Sequence, residues 1–513
     1  MRTHLTPRPS SKSKFFLAVI LSPLRPIPLI ALGVVIFVGL GCSTATRTYE
    51  ENKPQRTIFP PASTFLPVLQ GLTSESAALI NVIAETNDEI HLTLASNDPE
   101  ARIEWRELTW PGATEKVIRA RASGLRVGLN YQLLIYRNRQ LVDRREFAAL
   151  NTQQEQFRVL IGSCMYDGEK PQEMESIWAR ALERKPDVLF LIGDNAYADL
   201  VDGKYLAPAD GAQLWRRYAE TMVRLPLYRW KRLVPVLATW DDHHFGVNDG
   251  DRNHPYKEQA RQVFLSYFPQ EQGFSDNWTA GPGVASRWNA FGFVFHFLDA
   301  RSFRSPRVEA AEQPAAQTQF GTEQETWILS GLEKRKLNFL IKGDQWWGAY
   351  HRFESYEGSH PRSFMAWLAR LRRSAAPTIM ISGDRHMSEV MRIPNDVLGY
   401  ETYEFTVSPI HARKYSGDWD KTPNPRQLHG MALQNNWLEI EAMPSSQKHE
   451  SSPPPKTTKR IKSRIITEPY STQITARFWS DKSELYSISI EPNRILDSIR
   501  ATPSDPPKRS SFQ

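Results

Sequence analysis

At 513 residues, 40% hydrophobic and 24% charged, the chain is long enough for two or three hydrophobic cores and too apolar for a disordered protein. Its formal net charge of +7 is modest for that length, and no zinc-finger, RNP or helix-turn-helix pattern accompanies it, which argues against a nucleic-acid recognition module. Its two cysteines, Cys42 and Cys164, fall in segments with separate jobs and exclude a disulfide-stapled scaffold.

The chain begins with a basic stretch (Arg2, Arg8, Lys12, Lys14), and the apolar run Leu29 to Leu40 follows. That run is short for a membrane span and ends in small residues, so residues 1–42 read as an export signal and residues 43–70 as a polar tether. Gly39-Leu40-Gly41-Cys42 resembles the lipobox of bacterial lipoproteins. The resemblance implies a lipid anchor on Cys42 and a place in the cell envelope, facing the periplasm or the exterior. A plain signal peptide or an uncleaved anchor is the alternative.

Residues 71–151 carry short alternating runs, Ala78 to Ala84, Glu89 to Leu94, Val117 to Ala120 and Tyr131 to Tyr136, separated by Asn, Asp and Gly. This spacing predicts an all-β sandwich. Ser123 to Gln132 resembles a stretch of fibronectin type III modules, which implies an Ig-like domain. No cluster of His, Cys or carboxylates stands out there, so packing or orientation is its expected role, with a glycan- or wall-binding surface as the alternative.

Beyond residue 156, apolar runs of strand length repeatedly end in residues with ligand chemistry. Phe157 to Ser163 ends in Cys164, which is either a small buried hydrophobe or a thiolate ligand. Helical spacing over Met174 to Leu182 leads into Val188 to Ile192, which ends in Gly193-Asp194 with Tyr197 three residues on. A carboxylate at a strand end is often only a turn former, but carboxylate and phenolate oxygens can also converge on a cation. Ala212 to Trp230 predicts a helix, and Val234 to Trp240 a strand that runs into Asp241-Asp242-His243-His244. That cluster is either a solvated acidic turn or a cation site, because adjacent carboxylates repel unless a cation or a proton intervenes.

Phe291 to Leu298 ends in Asp299, with Arg301 and Arg304 just after it. These form either an internal ion-pair brace or, through one Arg, a contact to phosphate. Trp327 to Leu340 predicts a helix, Trp346-Trp347 a core or pocket wall, and Phe364 to Arg373 a further helix. The last chemical run, Thr378 to Ser382, ends in Gly383-Asp384-Arg385-His386. In extended backbone Asp384 and His386 point the same way and form a chelate. Four strands ending in metal-capable groups are hard to ascribe to coincidence.

Together, Gly162 to Cys164, Gly193 to Asp199, Thr239 to His243, Leu298 to Arg304, Ser382 to His386 and Thr406 to Pro409 resemble the ordered motifs of PhoD-type alkaline phosphatases. That family is akin to purple acid phosphatases within the calcineurin-like metallophosphoesterases. The resemblance implies an α/β fold of four α-β-β-α layers over residues 156–492, with the small all-β domain preceding it. It also implies a binuclear or multinuclear metal centre of iron(III) and calcium. Cys164, Asp194, Tyr197 and His386 would hold the iron, while Asp194, Asp242 and Asp384, with Asp241 nearby, would hold calcium. His243 would bind phosphate or protonate the leaving group, and Arg385 would stabilise charge. Arg301 and Arg304 stand as candidate substrate contacts.

The implied reaction is hydrolysis of phosphomonoesters or phosphodiesters by a metal-activated hydroxide, the partner being the phosphate-ester substrate. The alternatives are a phosphodiesterase acting on wall polymers, phospholipid headgroups or nucleic acid, and a non-catalytic envelope-binding lipoprotein. Residues 443–464, rich in Ser, Pro and Lys, read as a basic disordered insertion, and residues 493–513 as a disordered tail.

Overall fold

Period-two alternation decides where each strand of the carboxyl-terminal half sends its side chains. Along Phe157–Gly162 the side chains of Phe157, Val159 and Ile161 enter one hydrophobic cluster and Leu160 another. Val188–Leu191 divides the same way, with Val188 and Phe190 on one side and Leu189 and Leu191 on the other. The computed structural model describes residues 65–501 except 202–203, 206–207, 308–311, 314–315, 349–353, 415–423, 431–433 and 445–471.

Two large sheets build the carboxyl-terminal half in a mixed α/β architecture. The six-stranded sheet runs in the order Val236–Ala238, Val188–Leu191, Phe157–Gly162, Trp437–Pro444, Thr472–Trp479, Glu484–Ile490. Its first three strands are parallel, so their carboxyl ends share one edge. The eight-stranded sheet has a parallel centre, Phe293–Phe297, Asn338–Ile341, Thr378–Ser382 and Thr402–Thr406. One cluster of buried side chains joins the two sheets: the Phe190 ring lies 5.2 Å from that of Phe295 and 4.9 Å from that of Phe297. Truncating a buried ring of this kind costs about 3–5 kcal/mol, so the spacing of the sheets, and of the loops they carry, is tightly held.

The amino-terminal strands form a four-stranded and a three-stranded antiparallel sheet. Val68–Thr73, Arg102–Thr109 and Gln140–Ala148 belong to them although the sequence pattern did not mark them out. Ala77–Glu85 is buried along almost its whole length, with Ala78, Ile80, Val82 and Ala84 in one hydrophobic cluster and Ala77 and Leu79 in the other. Asn81 Nδ2 donates to the Tyr267 carbonyl at 2.7 Å, and Arg145 donates to the Trp230 carbonyl at 2.7 Å. These strands therefore share one hydrophobic cluster with the carboxyl-terminal half.

Three expected elements differ. The predicted helix Ala212 to Trp230 stops at Arg224, because Pro226 forces Leu225 into an extended conformation. Trp327 to Leu340 divides into the end of a helix, Gly321–Ser330, and the strand Asn338–Ile341, whose apolar run is too short to show its period. The expected disordered tail from residue 493 begins instead as the helix Pro492–Ala501, which buries Ile495 and Leu496. Among the described residues no helix is long and apolar enough to cross a membrane. The export signal, Cys42, the tether to residue 64, the insertion from residue 445 and the tail beyond residue 501 lie outside the described residues.

Candidate metal centre

Glycines let the strand ends approach. Gly193 has φ +154°, and a Cβ there would sit 2.8 Å from Asp241 Cβ. A Cβ on Gly343 would sit 2.3 Å from Asp241 Cγ. Only glycine fits either position, so the loops of the two sheets close on one small volume. Cys164, Asp194, Asp384 and His386 all take positive φ, between 48° and 66°, a region that side chains other than glycine rarely occupy.

The loops gather three ligand groups that share Asp194 and whose donor atoms lie within 4.8 Å of one another, namely Cys164, Asp194 and His386; Asp194, Asp242 and His243; and Asp194, Asp241, Asp242 and Asp384, with a fourth group, Asp242, Asp249 and Glu354, beside them. The Tyr197 hydroxyl lies 3.0 Å from His386 Nε2 and so joins the first group. Asp384 and His386 do not form the expected chelate. Positive φ at both residues breaks the strand alternation and turns the two side chains into different groups.

Burial pushes the Cys164 thiol, the Tyr197 phenol and the Asp194 and Asp384 carboxyls well above their ordinary ranges, and the neighbouring carboxylates push the same way. Burial also lowers His386 to about 4, leaving a neutral imidazole that can donate a lone pair. One oxygen of buried Asp241, Oδ2, has no hydrogen-bond partner. Buried acids crowded this closely are stabilised by cations, so the donor set fits a group of metal ions. Thiolate, phenolate and imidazole suit a transition metal, and the carboxylate group suits a harder ion.

His243 is held from several sides. Its backbone N–H donates to Asp242 at 2.9 Å, and the two Asp199 oxygens lie 2.9 and 3.1 Å from its Nδ1. That fixes Nδ1 as the protonated nitrogen and leaves Nε2 to the site. Burial alone would lower its pKa, but Asp242, Asp194 and Asp199 outweigh burial and raise it well above the ordinary value. His244 turns inward, its Nδ1 accepting from the Asn195 N–H at 3.0 Å. Arg385 is 7% exposed and its charge acts on both Asp384 and His386, beside which it was expected.

Arg301 and Arg304, candidate substrate contacts, sit in the ion-pair arrangement that the sequence offered as the other reading. Both are buried, and Arg301 lies 2.5 Å from Asp241 and 2.7 Å from Glu354. Arg304 also reaches Glu354, at 3.4 Å, and together the two guanidinium groups outweigh burial and hold that carboxyl well below its usual range. Asp241 thus faces both the brace and the ligand group. Asp249 shares a hydrogen bond with Glu354 and is pushed up to about 7, chiefly by that bond. Sequence reasoning missed Asp199, Asp249 and Glu354. Asp199 stands in the Asp194 loop, but only the fold brings it to His243.

The family model of PhoD-like phosphatases matches residues 160–442, more than half of the chain. The chain belongs to the PhoD-like phosphatase family. As a member it is a metal-dependent hydrolase of phosphate esters, and the reading as a non-catalytic lipoprotein falls away. The solved "Structure of PhoD" aligns with a TM-score of 0.57 over 85% of this chain and 97% of that chain, at 14% identity, a likeness of fold. A search of the curated proteins finds no significant match. The matched segment of this PhoD-like chain contains every residue of the three ligand groups.

Proposed function

We propose that this PhoD-like chain is an exported phosphoesterase whose centre pairs an iron(III) ion with calcium and acts on phosphomonoesters, phosphodiesters or both. The observation that carries the proposal is the sharing of Asp194 among three of the four ligand groups, as expected of a carboxylate between two neighbouring cations. Cys164, Tyr197, His386 and Asp194 would hold the iron, and Asp194, Asp242 and Asp384, with Asp241 beside them, the calcium. Bound there, the ions supply Lewis acidity and neutralise charge on the phosphoryl oxygens.

The protein's own groups do the rest. Asp199 keeps the His243 imidazole oriented and its Nδ1 protonated, so that Nε2 can bind a phosphoryl oxygen or give a proton to the leaving alcohol. Arg385 adds positive charge beside Asp384 and His386, where charge builds up on the phosphoryl group. The proposed fold is four α-β-β-α layers with an Ig-like amino-terminal unit, for which the two mixed sheets and the antiparallel amino-terminal sheets are the support. The lipobox-like Gly39-Leu40-Gly41-Cys42 supports a lipid anchor in the cell envelope.

The test is elemental analysis together with kinetics on one monoester and one diester, for the natural protein and for Cys164→Ser and Asp194→Asn. Iron content is expected to fall in the first variant, and iron and calcium together in the second, with activity lost in both. Full activity in either variant sinks the assignment, and the natural protein's two rates decide between monoester and diester.

A further inference from the structure

Tyr205 is the most exposed of the large apolar side chains among the described residues, at 60%. It ends a small hairpin, Leu200–Val201 against Lys204–Tyr205, that follows directly on the loop carrying Asp194, Tyr197 and Asp199. Its ring lies nearly parallel to the His243 imidazole, 14° between the planes and 5.6 Å between centroids. The side chain thus meets His243 at the edge of the site while much of its ring faces solvent. Tyr197 lies 4.3 Å from the same imidazole, with half-buried Tyr166 at 5.4 Å from Tyr197, and this continues an aromatic wall.

The inner side of the site is closed. Asp194, Asp241 and Asp242 are 2% exposed or less, and the strand ends beneath them are sealed by the core. A phosphoryl group seated among those carboxylates and His243 must send its ester alcohol outward, past the imidazole. Tyr205 stands on that path and offers a flat apolar surface on which, among the described residues, no ring other than His243 is stacked. A ring placed there gains a stacked contact and covers surface that water now meets.

We propose that Tyr205 is the floor of a leaving-group subsite that selects phosphate esters whose alcohol carries an aromatic or heteroaromatic ring. The inference rests on the phosphoesterase reading above. Tyr205 is here a specificity residue, and the phosphoryl chemistry belongs to the groups already described.

The experiment compares kcat and KM of the metal-loaded full chain, Tyr205→Ala and Tyr205→Phe on phenyl phosphate, a nucleoside 5′-monophosphate and glycerol phosphate. Tyr205→Ala should raise KM for a ring-bearing ester about three- to tenfold and leave glycerol phosphate within about twofold, while Tyr205→Phe stays near the natural protein. A shift confined to phenyl phosphate places the ring directly on the ester oxygen. A shift confined to the nucleotide places it one sugar further out, and either supports the subsite. Equal losses on all three esters would mean that Tyr205 only supports His243, and unchanged KM for both ring-bearing esters would mean that no ring sits there; either result overturns the proposal. Failure of the natural protein to hydrolyse any of the three strikes the phosphoesterase reading itself, and this inference with it.

Discussion

Replacing Arg301 with Met removes a guanidinium that lies 2.5 Å from Asp241 and 2.7 Å from Glu354 while keeping much of the side-chain volume. Breaking one side of a buried ion pair costs about 3–5 kcal/mol, because the partner's charge stays out of water without compensation. Glu354 keeps Arg304, at 3.4 Å, so most of the loss falls on Asp241, whose second oxygen already lacks a partner. Burial has pushed Asp241 up to about 7 even with Arg301 beside it. A carboxyl with a raised folded pKa loses stability as pH rises through the window from its ordinary value to the folded one. The cost of Arg301→Met should therefore be full at pH 8 and shrink at pH 5, where Asp241 takes up a proton. Urea unfolding at both pH values measures it, and adding Asp241→Asn should recover about 1–3 kcal/mol at pH 8. If Arg301→Met unfolds within about 1 kcal/mol of the natural protein while KM for a phosphate ester rises tenfold, the brace is refuted and Arg301 is a substrate contact.

Three further predictions follow from the same site and its surroundings. Gly343→Ala places a Cβ 2.3 Å from Asp241 Cγ, so it should cost about 1–3 kcal/mol and lower kcat by more than the stability loss accounts for; natural values of both would show that the strand ends have room. Asp199→Asn should lower kcat about 10- to 100-fold with little change in KM. Because that variant removes one of the charges that raise His243, the alkaline limb of its pH profile should also move to lower pH, and an unmoved limb counts against a proton role for His243. Buried His296, His360 and His411 are depressed by burial to about 3, 4 and 4, so the fold keeps them neutral while the unfolded chain protonates them. Stability should fall as pH drops from the ordinary histidine range towards 4, and His296→Phe should reduce the slope by up to about one proton, as read from denaturant midpoints; an unchanged slope removes His296 from the linkage.

Much of the site was legible because strand ends announce themselves. An apolar run that stops at Gly-Asp, at Asp-Asp or at Cys places a polar group at the sheet edge, and Cys164, Asp194, Asp242 and Asp384 all came from that pattern. Residues that act from irregular backbone were invisible: Glu354 has no periodic run before it, and Asp199 matters only because its loop folds back on His243. The expected pairing of Asp384 with His386 failed for a related reason, since two left-handed residues undo the alternation on which it relied. In the amino-terminal half the strand pattern was partly readable, but its partners were not. Burial of Ala77–Glu85 depends on partners far along the chain, such as Tyr267, whose carbonyl accepts from Asn81.

The left-handed backbone at Cys164, Asp194, Asp384 and His386 also bears on how cations enter. Each such residue is held at a cost of about 1–3 kcal/mol, met when the two sheets fold, and its donor atom is already in place beforehand. An arriving ion then finds a rigid cage and spends little of its affinity on ordering loops. A chain that has lost its ions should keep these turns, and reloading should be limited by access and proton release and not by refolding.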